Sequence, residues 1–570
     1  MITKLARLCG FGAEAVETFA RNGLLRPVPP ADLARMVEAF RHFHVTPATG
    51  VAMAAARWPD RPAILDEDGS LTFAELDARV AALASALYDR FGVRPGRTVA
   101  IMWPNHRGFV EAVAAVSRLG ADLLLLNTGL AGPRLRDILR REDVHTLIAA
   151  PELPPVDFAG TRVGDLDELI ASATASATAS ASATATATGP EPPAPRRPGR
   201  LVLLTSGTTG VPKGATRRLS LTALAEPFTS MLATVPLRSG EPILIAPPLF
   251  HGLGLLWYGV ALVLGCPVVL TRRFDPEKVL RALDRHRATA MVAVPVMLRR
   301  LLAHDVQPLP HLRVVVSGGS ALPPDLATAF MDAYGDVLYN LYGSTEVGWA
   351  TLATPADLRA APDTIGRPTR GTTVVIAGPD GRELPPYEVG RVLVGGGLTF
   401  SGYSGGGGDA STEAGGRQST GGPRSTGGPR STGGPRSTGG PRSTGGLLST
   451  GDLGHRDGRG RLFIDGREDD MIVSGGENVF PQEVENLLGR HPGVADVAVL
   501  GVPDEEYGQR LAAYVVREPG ARLSADELKQ AVKAELGGYK VPRDIEFVTA
   551  VPRNQTGKVD RRRLGGTMSS

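Results

Sequence analysis

A loop rich in hydroxyl groups and glycine constrains the fold of this chain more than any other stretch. Its residues are Thr205, Ser206, Gly207, Thr208, Thr209, Gly210, Val211, Pro212, Lys213 and Gly214. The apolar run 201–204 comes directly before it, which predicts a buried strand that ends in the loop. Glycine lets backbone N–H groups turn toward an anion, hydroxyls add donors, and the lysine adds a positive charge. The sequence therefore predicts a grip for a polyphosphate.

The loop does not have the spelling of a Walker P-loop. A Walker loop needs a glycine five residues before its Gly-Lys pair and a Ser or Thr after the lysine. Here Val211 and Pro212 precede Lys213, and Gly214 follows it. This argues against a mononucleotide switch or a motor ATPase. On residue types alone, a plain linker stays open, because serine, threonine and glycine are also ordinary turn formers.

Length and composition narrow the class of protein. A chain of 570 residues is too long for one compact core and predicts several domains. The formal net charge of +3 does not indicate nucleic acid as a partner. Two cysteines, Cys9 and Cys266, are too few for a disulfide framework or a zinc site, which favours a reducing cytoplasm. The sequence contains no run of 18 apolar residues, so we expect no membrane-spanning helix.

Residues 1–46 predict helices separated by a break at 27–30. The basic start meets Glu14 and Glu17 before an apolar core of signal-peptide length develops. Basic and apolar residues are interspersed, so peripheral contact with a membrane surface stays open. The alternative, a helix packed on the main domain, is favoured.

From residue 61 the pattern alternates between strand and helix. Thr72 and Glu75 form a capping box that opens a helix after a predicted hairpin. Predicted strands at 98–102, 123–126 and 146–149 are separated by helical stretches, which indicates a layered α/β domain with a largely parallel sheet. Beyond residue 469, three further predicted strands and a helix capped by Ser524 and Glu527 predict a small α+β domain. These strands lie at 494–501, 511–516 and 545–548.

Two stretches of low complexity interrupt this pattern. Residues 171–200 consist largely of alanine, serine, threonine and proline, and residues 404–446 contain the hexapeptide STGGPR four times in succession. Neither stretch can bury enough apolar surface to offset chain entropy, so both are predicted to be disordered insertions. The predicted units are an N-terminal helical extension (1–46), a large domain (47–466) and a C-terminal domain (467–570).

The spelling TSGTTGVPKG at 205–214 resembles the signature loop of the adenylate-forming superfamily. That superfamily includes acyl-CoA synthetases, luciferases and the adenylation domains of peptide synthetases. The resemblance implies that Thr205, Ser206, Gly207, Thr208, Thr209, Gly210 and Lys213 bind the phosphates of ATP. It also implies a large N-terminal layered α/β region followed by a small, mobile C-terminal α+β domain.

Motifs downstream follow in the order that the resemblance requires. Residues 248–251 look like the aromatic gate beside the acyl pocket, with His251 near the carboxylate of the acid. Gly318, Gly319 and Ser320 are similar to the adenine-binding turn. The stretch Tyr342, Gly343, Ser344, Thr345 and Glu346 matches the family's nucleotide motif.

Within that motif the resemblance gives each side chain a role. It implies that Tyr342 stacks on adenine, that Thr345 meets the α-phosphate, and that Glu346, with Thr205, holds Mg²⁺. This fits the chemistry of Mg²⁺, which is commonly bound through one carboxylate plus substrate phosphates.

Three further matches lie toward the C-terminus. Asp452, in the stretch 449–453, resembles the aspartate that accepts both ribose hydroxyls, as an ionised carboxylate can. Arg467 would face the ribose and phosphates, and Asp469 would be the hinge between the domains. Lys558 matches the catalytic lysine of the C-terminal loop. The sequence departs from the family before residue 449, where the STGGPR repeat replaces an ordered segment.

Two features narrow the branch of the family. Ser474, Gly475 and Gly476 lie in a stretch that most resembles acyl-CoA synthetases, in which these residues line the channel for the pantetheine arm of CoA. The run 253–264 contains no acidic residue, whereas an amino-acid substrate would require a buried carboxylate for its ammonium group. This run is either a core helix or the wall of an apolar acyl pocket.

These observations predict an ATP-dependent ligase that joins a medium- or long-chain fatty acid to CoA through an acyl-adenylate. The expected ligands are ATP, Mg²⁺, CoA and a small carboxylic acid with an apolar chain, and the expected role is in lipid metabolism. Three alternatives stay open: an acyl-AMP ligase that loads a carrier protein, an aryl-acid CoA ligase, and a non-catalytic acyl or nucleotide binder. The joint presence of Glu346, Asp452 and Lys558 argues against the last.

Overall fold

The protein is described by a computed structural model. It covers residues 2–130, 132–183, 192–205, 213–217, 221–304, 306–344, 347–397, 402–403, 443–444, 447–474, 477–504, 508–554, 558–560 and 563–564. A large N-terminal α/β domain is followed by a small C-terminal α+β domain, as the sequence predicts.

The helices, in chain order, are α1 (Ile2–Arg21), α2 (Pro30–Phe43), α3 (Pro47–Arg57), α4 (Phe73–Phe91), α5 (Arg107–Arg118), α6 (Gly132–Arg141), α7 (Leu166–Ala183), α8 (Leu221–Thr234), α9 (Gly252–Leu264), α10 (Pro276–Arg285), α11 (Pro295–Leu302), α12 (Pro324–Tyr334), α13 (Pro355–Ala360), α14 (Pro481–Gly489) and α15 (Ala525–Leu536).

The strands are β1 (Pro62–Asp66), β2 (Gly69–Thr72), β3 (Thr98–Met102), β4 (Asp122–Leu125), β5 (Val144–Ala149), β6 (Thr161–Val163), β7 (Leu201–Thr205), β8 (Lys213–Arg217), β9 (Ile243–Ile245), β10 (Val268–Val269), β11 (Ala290–Ala293), β12 (Val314–Gly318), β13 (Leu338–Ser344), β14 (Gly348–Ala353), β15 (Thr364–Pro368), β16 (Thr372–Ala377), β17 (Gly390–Gly396), β18 (Gly402–Tyr403), β19 (Ser443–Thr444), β20 (Leu447–Arg456), β21 (Leu462–Arg467), β22 (Ile472–Ser474), β23 (Glu477–Val479), β24 (Val494–Asp504), β25 (Gly508–Arg517) and β26 (Asp544–Phe547).

One sheet of the large domain carries most of the nucleotide motifs. Its strand order is β16-β17-β20-β21-β15-β14-β13-β12-β11-β9-β10-β1-β2, with β19 beside β20. From β10 through β9, β11 and β12 to β13 the strands are parallel. The run Val314–Val316 in β12 is fully buried, as expected for a parallel strand that is covered on both faces. The chain then turns back antiparallel at β14.

The second sheet has the order β18-β8-β7-β4-β3-β5-β6 and is parallel from β7 to β6. Helix α4 packs here through Leu76, Val80 and Leu83, which are all buried. The predicted capping box at its start is confirmed, because the side chains of Thr72 and Glu75 each accept the other's backbone N–H.

The C-terminal domain is built on the order β23-β22-β25-β24, with β26 beside β25. Helices α14 and α15 cover this sheet, and Val484, Val499 and Leu528 lie in the shared core. The predicted capping box of Ser524 and Glu527 at the start of α15 is confirmed. The domain therefore has an apolar core of its own.

Helix α1 is tied to the large domain at its end. The Asn22 side-chain amide donates to the Leu237 carbonyl, and the Ser239 N–H donates to the Asn22 carbonyl at 2.8 Å. Arg370 forms an ion pair with Glu14. The favoured interpretation, a helix packed on the main domain, describes this arrangement. None of the helices in the described residues is long and apolar enough to cross a membrane.

The predicted disordered insertion at 171–200 is wrong in its first part, because α7 continues to Ala183. Leu166 and Ile170 are buried against the core, and Arg79 forms an ion pair with Asp167 at the first turn. Alanine has the highest helix propensity, so the anchored helix continues into the alanine-rich stretch. The predicted disorder of the STGGPR repeat falls on residues outside the described part of the chain.

Candidate functional site

The site lies where parallel strands β12 and β13 end, the usual position for a ligand in an α/β sheet. Gly318 pairs with Leu341 at this edge, and Gly319 follows with a φ of +84°. One large cavity opens here between the two domains. The predicted residues that line it at this edge are Gly319, Ser320, Tyr342, Gly343 and Ser344, with Gly318 directly before them.

Gly343 is required by a close approach of two strands. A Cβ atom at this position would lie 2.0 Å from the carbonyl oxygen of Gly348 in β14. The hairpin that joins β13 to β14 therefore closes tightly under the cavity. Thr345 and Glu346 follow Ser344 in the chain and lie outside the described residues.

Asp452 is the centre of a polar cluster on the cavity wall. It lies on β20 directly across from Arg467 on β21. The Arg467 Nη1 donates to Asp452 Oδ1 at 2.8 Å, and the Tyr342 hydroxyl donates to Asp452 Oδ2 at 2.5 Å. The Asp452 N–H donates to the Thr450 hydroxyl at 3.1 Å. Each carboxylate oxygen is thus oriented by one partner and keeps lone pairs for a ligand.

Burial, and then the neighbouring Asp452 carboxylate, raise the pKa of the Tyr342 phenol well above its ordinary value. Tyr342 therefore stays protonated and remains a hydrogen-bond donor to Asp452 at neutral pH. The Tyr342 hydroxyl therefore fixes the orientation of the Asp452 carboxylate, which the sequence predicts as the acceptor of the ribose hydroxyls.

His251 is the residue before helix α9, and it lies beside Phe250 with 4.6 Å between the ring centroids. Its Nε2 atom is buried and has no hydrogen-bond partner among the residues that the structure describes. Burial, with a smaller contribution from the Lys558 ammonium, lowers the pKa of the imidazole to about 4. At neutral pH the ring is therefore uncharged and presents a free polar nitrogen to the cavity.

Asn105 positions the segment that leads to His251, and sequence reasoning missed it. Its side-chain amide donates to the carbonyl of Ile245 at 3.2 Å and to that of Pro247 at 2.9 Å. Its Oδ1 accepts the Leu249 N–H at 2.7 Å. Asn105 is buried and directly follows the residues of β3 in a Pro-Asn pair. The signal available in the sequence was an amide side chain just beyond the carboxyl end of a predicted buried strand.

We expect the free energy of unfolding to fall more steeply with acid in the wild type than in a His251→Gln variant. The pKa of this histidine rises from about 4 in the folded protein to about 6.5 in the unfolded chain. Its contribution to stability is therefore complete above pH 6.5 and is lost as the pH falls from 6.5 to 4. Between pH 7.5 and pH 5, urea unfolding should show an excess loss on the order of 1–2 kcal/mol in the wild type. Equal losses in both proteins would contradict the low pKa.

Lys558 lines the same cavity from the C-terminal domain. The loop before it is closed by the Asn554 N–H, which donates to the Lys558 carbonyl at 2.8 Å, and by the Lys558 N–H, which donates to Asn554 Oδ1 at 2.9 Å. Arg299 on α11 donates to the Ala495 carbonyl on β24 at 3.2 Å and so joins the two domains. In this orientation Lys558 and His251 face the same space.

The remaining predicted residues can be placed only by their backbone. Thr205 pairs with Lys213 across the β7–β8 hairpin, while residues 206–212 lie outside the described chain. Asp469 lies in a 3₁₀ turn directly after Arg467. Ser474 pairs with Glu477 at the end of β22, and Gly475 and Gly476 are outside the description.

A separate cluster of Asp66, Asp68 and His106 has the residue types of a metal site. Arg107 already binds both carboxylate oxygens of Asp66. The His106 Nδ1 accepts the Gly108 N–H, so the neutral ring donates from Nε2 to Asp68 at 2.6 Å. A metal ion would have to lie against the Arg107 guanidinium, so we interpret the cluster as the anchor of α5.

The chain matches two models of protein families. Residues 51–404 match the AMP-binding enzymes, and residues 483–558 match the C-terminal domain of AMP-binding enzymes. The chain is 34% identical over 519 residues to a feruloyl-CoA synthase of Amycolatopsis sp, which covers 89% of this chain and 96% of the relative. It is 32% identical over 511 residues to an indoleacetate–CoA ligase of Aromatoleum aromaticum, which covers 88% of this chain and 94% of that relative.

A solved structure of similar fold is the o-succinylbenzoate CoA synthetase of Bacillus subtilis in complex with its acyl-adenylate intermediate. The TM-score is 0.73 at 29% sequence identity, and the match covers 90% of this chain and 97% of that one. The same synthetase is also known in complex with ATP and a magnesium ion.

Proposed function

This chain belongs to the family of AMP-binding enzymes, and we propose that it joins an aryl or fused-ring carboxylic acid to CoA through an acyl-adenylate. The reaction consumes ATP and releases pyrophosphate in its first half. In its second half the thiol of CoA takes the acyl group and AMP leaves. The observation that carries this proposal is the convergence of Tyr342, Asp452, Arg467 and Lys558 on one cavity.

The cluster around Asp452 fits the nucleoside of ATP. The Asp452 carboxylate would accept the two ribose hydroxyls, since its Tyr342 and Arg467 partners leave lone pairs available. Tyr342 would stack on the adenine beside Gly319 and Ser320. Arg467, whose side chain is 43% exposed, would reach the ribose and phosphates.

The hairpin from Thr205 to Lys213 would hold the phosphates, with Glu346 and Thr205 as ligands of Mg²⁺. When bound, the cation would neutralise charge on the phosphates. Lys558 would offset the repulsion between the incoming carboxylate and the α-phosphate, because its ammonium approaches from the C-terminal domain. The neutral ring of His251 would lie near the carboxylate of the acid and would add no charge to the site.

The second half of the reaction would use another orientation of the C-terminal domain. We place the hinge at Asp469, two residues after Arg467, where the chain leaves the large domain. Rotation there would withdraw Lys558 and bring Ser474, Gly475 and Gly476 toward CoA. The predicted domain boundary at residue 467 follows from the same assignment.

The acid pocket favours an aromatic or other apolar body. Aromatic side chains line the cavity, among them Phe228, Phe250, Tyr258 and Trp349. Three of the similar proteins act, by their names, on ferulate, indoleacetate and o-succinylbenzoate, each of which contains an aromatic ring. This revises the expectation of a medium- or long-chain fatty acid in favour of the aryl-acid alternative.

A straight-chain fatty acid remains the second candidate, with the role in lipid metabolism that it implies. The observation that favours it is the apolar face of α9, which continues beyond the aromatic side chains to Val263. Pocket shape alone accepts either class, because neither needs a buried charge partner.

The test is pyrophosphate release with Mg²⁺-ATP and a panel of acids, each with and without CoA. We expect turnover with ring-bearing acids, such as hydroxycinnamates, indole acids and fused-ring acids, and a thioester product that requires CoA. A higher kcat/KM for straight-chain acids would select the second candidate. Pyrophosphate release without consumption of CoA would indicate a carrier-protein acceptor, and silence across the whole panel would contradict a ligase.

A further inference from the structure

The cavity does not end at the aromatic side chains but continues along α9 toward the N-terminal extension. Most residues of α9 line the cavity, and those that share one face of the helix lie three or four positions apart. They are Gly252, Leu255, Leu256, Gly259 and Val263. This face spans about 16 Å, at 1.5 Å of rise per residue. It begins next to His251, in the site where the carboxylate of the acid would be activated.

Helix α2 lines the same cavity and forms a second wall of it. Its cavity-lining side chains repeat with the same helical spacing, and they are Leu33, Met36, Val37 and Phe40. The other face of α2 is fixed, because Ala39 and Phe43 pack with Ala48 at the start of α3. The lining face of α2 is therefore held in place, and Leu33 and Val37 on this face are about half exposed.

The two walls carry only apolar side chains and glycine, and parts of them face water. Leu33 is 52% exposed and Val37 is 50% exposed on α2, and Val263 is 50% exposed on α9. Scattered exposed apolar residues are ordinary, but a contiguous pair of apolar faces across a groove indicates a binding surface. The groove is continuous with the space at His251. A ligand in the groove would therefore be the far end of the same molecule whose carboxylate is activated at His251.

We propose that the far end of the acid substrate lies between α2 and α9, so that α2 selects acids by their apolar length. This rests on the proposed function. The substrate class is then an acid whose apolar part reaches beyond a single ring, either as fused rings, as a ring with an alkyl tail, or as a long alkyl chain. Helix α2 lies before the residues 51–404 that match the AMP-binding enzymes.

Gly259 offers a direct test, because it lies in the middle of the α9 wall. A Cβ atom added there meets nothing within 4 Å, so the space in front of it is the groove itself. Gly259→Phe should fill the groove with a ring and lower kcat/KM for extended acids at least tenfold. Acids with a single ring should keep their kcat/KM. Gly12→Phe is the matched control, because Gly12 is an exposed glycine of helix α1 and is not among the residues that line the cavity.

The α2 wall is tested separately with Val37→Asp, which places a charge in the groove. Each methylene buried in the groove is worth up to about fourfold in kcat/KM. A charge in the groove should therefore lower the ratio of kcat/KM for extended acids to that for single-ring acids at least tenfold. Val16→Asp is the control, since Val16 is 58% exposed on α1 and does not line the cavity. Binding of the same acids without ATP, measured by calorimetry, gives a readout that does not need turnover.

The outcomes separate this inference from the proposed function. The inference is supported if Gly259→Phe and Val37→Asp lower kcat/KM for extended acids. In these two variants kcat/KM for single-ring acids should be unchanged, and in both control variants kcat/KM should be unchanged for all acids. If the wild type binds extended acids and both variants lose them while no acid yields pyrophosphate, the groove is a binding site and the ligase proposal fails. Unchanged length preference overturns the inference. Weaker binding of Val37→Asp to phosphatidylcholine vesicles, with unchanged acid preference, would instead identify a membrane contact and also overturn it.

Discussion

Replacing Lys558 with alanine is expected to lower the rate of adenylate formation by about 10² to 10³. Two unit charges about 4 Å apart interact with roughly 4 kcal/mol at an effective dielectric of 20. Each ~1.4 kcal/mol corresponds to a factor of ten in rate, so a lysine that offsets the repulsion between two anions contributes about this much. The exposed Lys558 side chain lines the cavity and lowers the pKa of His251, which places its charge close to the site.

The measurement is the exchange of pyrophosphate into ATP that depends on the carboxylic acid substrate. Lys533→Ala is the matched control, because it removes the same charge from an exposed position on helix α15 of the same domain. The second half of the reaction, started from synthetic acyl-adenylate and CoA, should proceed in Lys558→Ala at close to the wild-type rate. Unchanged exchange in Lys558→Ala would remove Lys558 from the reaction, and equal loss in both halves would point to a structural role.

Local patterns predicted much of the fold. Both capping boxes, at Thr72 with Glu75 and at Ser524 with Glu527, depend on residues three positions apart, and both are present. Each encodes its own geometry, because the reciprocal hydrogen bonds form within one helical turn. The alternation of strand and helix likewise predicted a layered α/β domain, since the hydrophobic period distinguishes the two elements locally.

Long-range geometry could not be predicted in the same way. Tyr342 and Asp452 are 110 residues apart, and only the fold brings the Tyr342 hydroxyl to the carboxylate. The sequence named both residues, through their resemblance to family motifs, but not the bond between them. Asn105 is a similar case, because its partners Ile245, Pro247 and Leu249 lie about 140 residues away.

The error at α7 and the missed wall of α2 share one cause. Composition indicated disorder after residue 171, yet the helix continues because Leu166 and Ile170 anchor its start in the core. Leu33 and Phe40 have a helical spacing that is visible in the sequence, but spacing does not say which surface a helix faces. In both cases tertiary contacts decided the outcome, which propensity alone cannot predict.

Replacing Asp452 with asparagine should raise the KM for ATP by about 10² or more while leaving the large domain folded. Hydrogen bonds to a charged group contribute about 1.5–3 kcal/mol each, and Asp452 would accept two from the ribose. Asparagine keeps the shape of the side chain but loses the charge and one acceptor. The change also removes the ionic partner of Arg467 and turns one oxygen into a donor that faces either Arg467 or the Tyr342 hydroxyl.

Asp457→Asn separates the loss of a ligand from the loss of a buried ion pair. Asp457 is 7% exposed, against 9% for Asp452, and it is paired with Arg461, but it does not line the cavity. Both variants should lose stability in urea, because each leaves an arginine without its partner. Only Asp452→Asn should raise the KM for ATP, since of the two carboxylates only that of Asp452 lines the cavity. A similar KM in both variants would mean that Asp452 acts through the stability of the β20–β21 pair, and the ribose would then have to be held elsewhere.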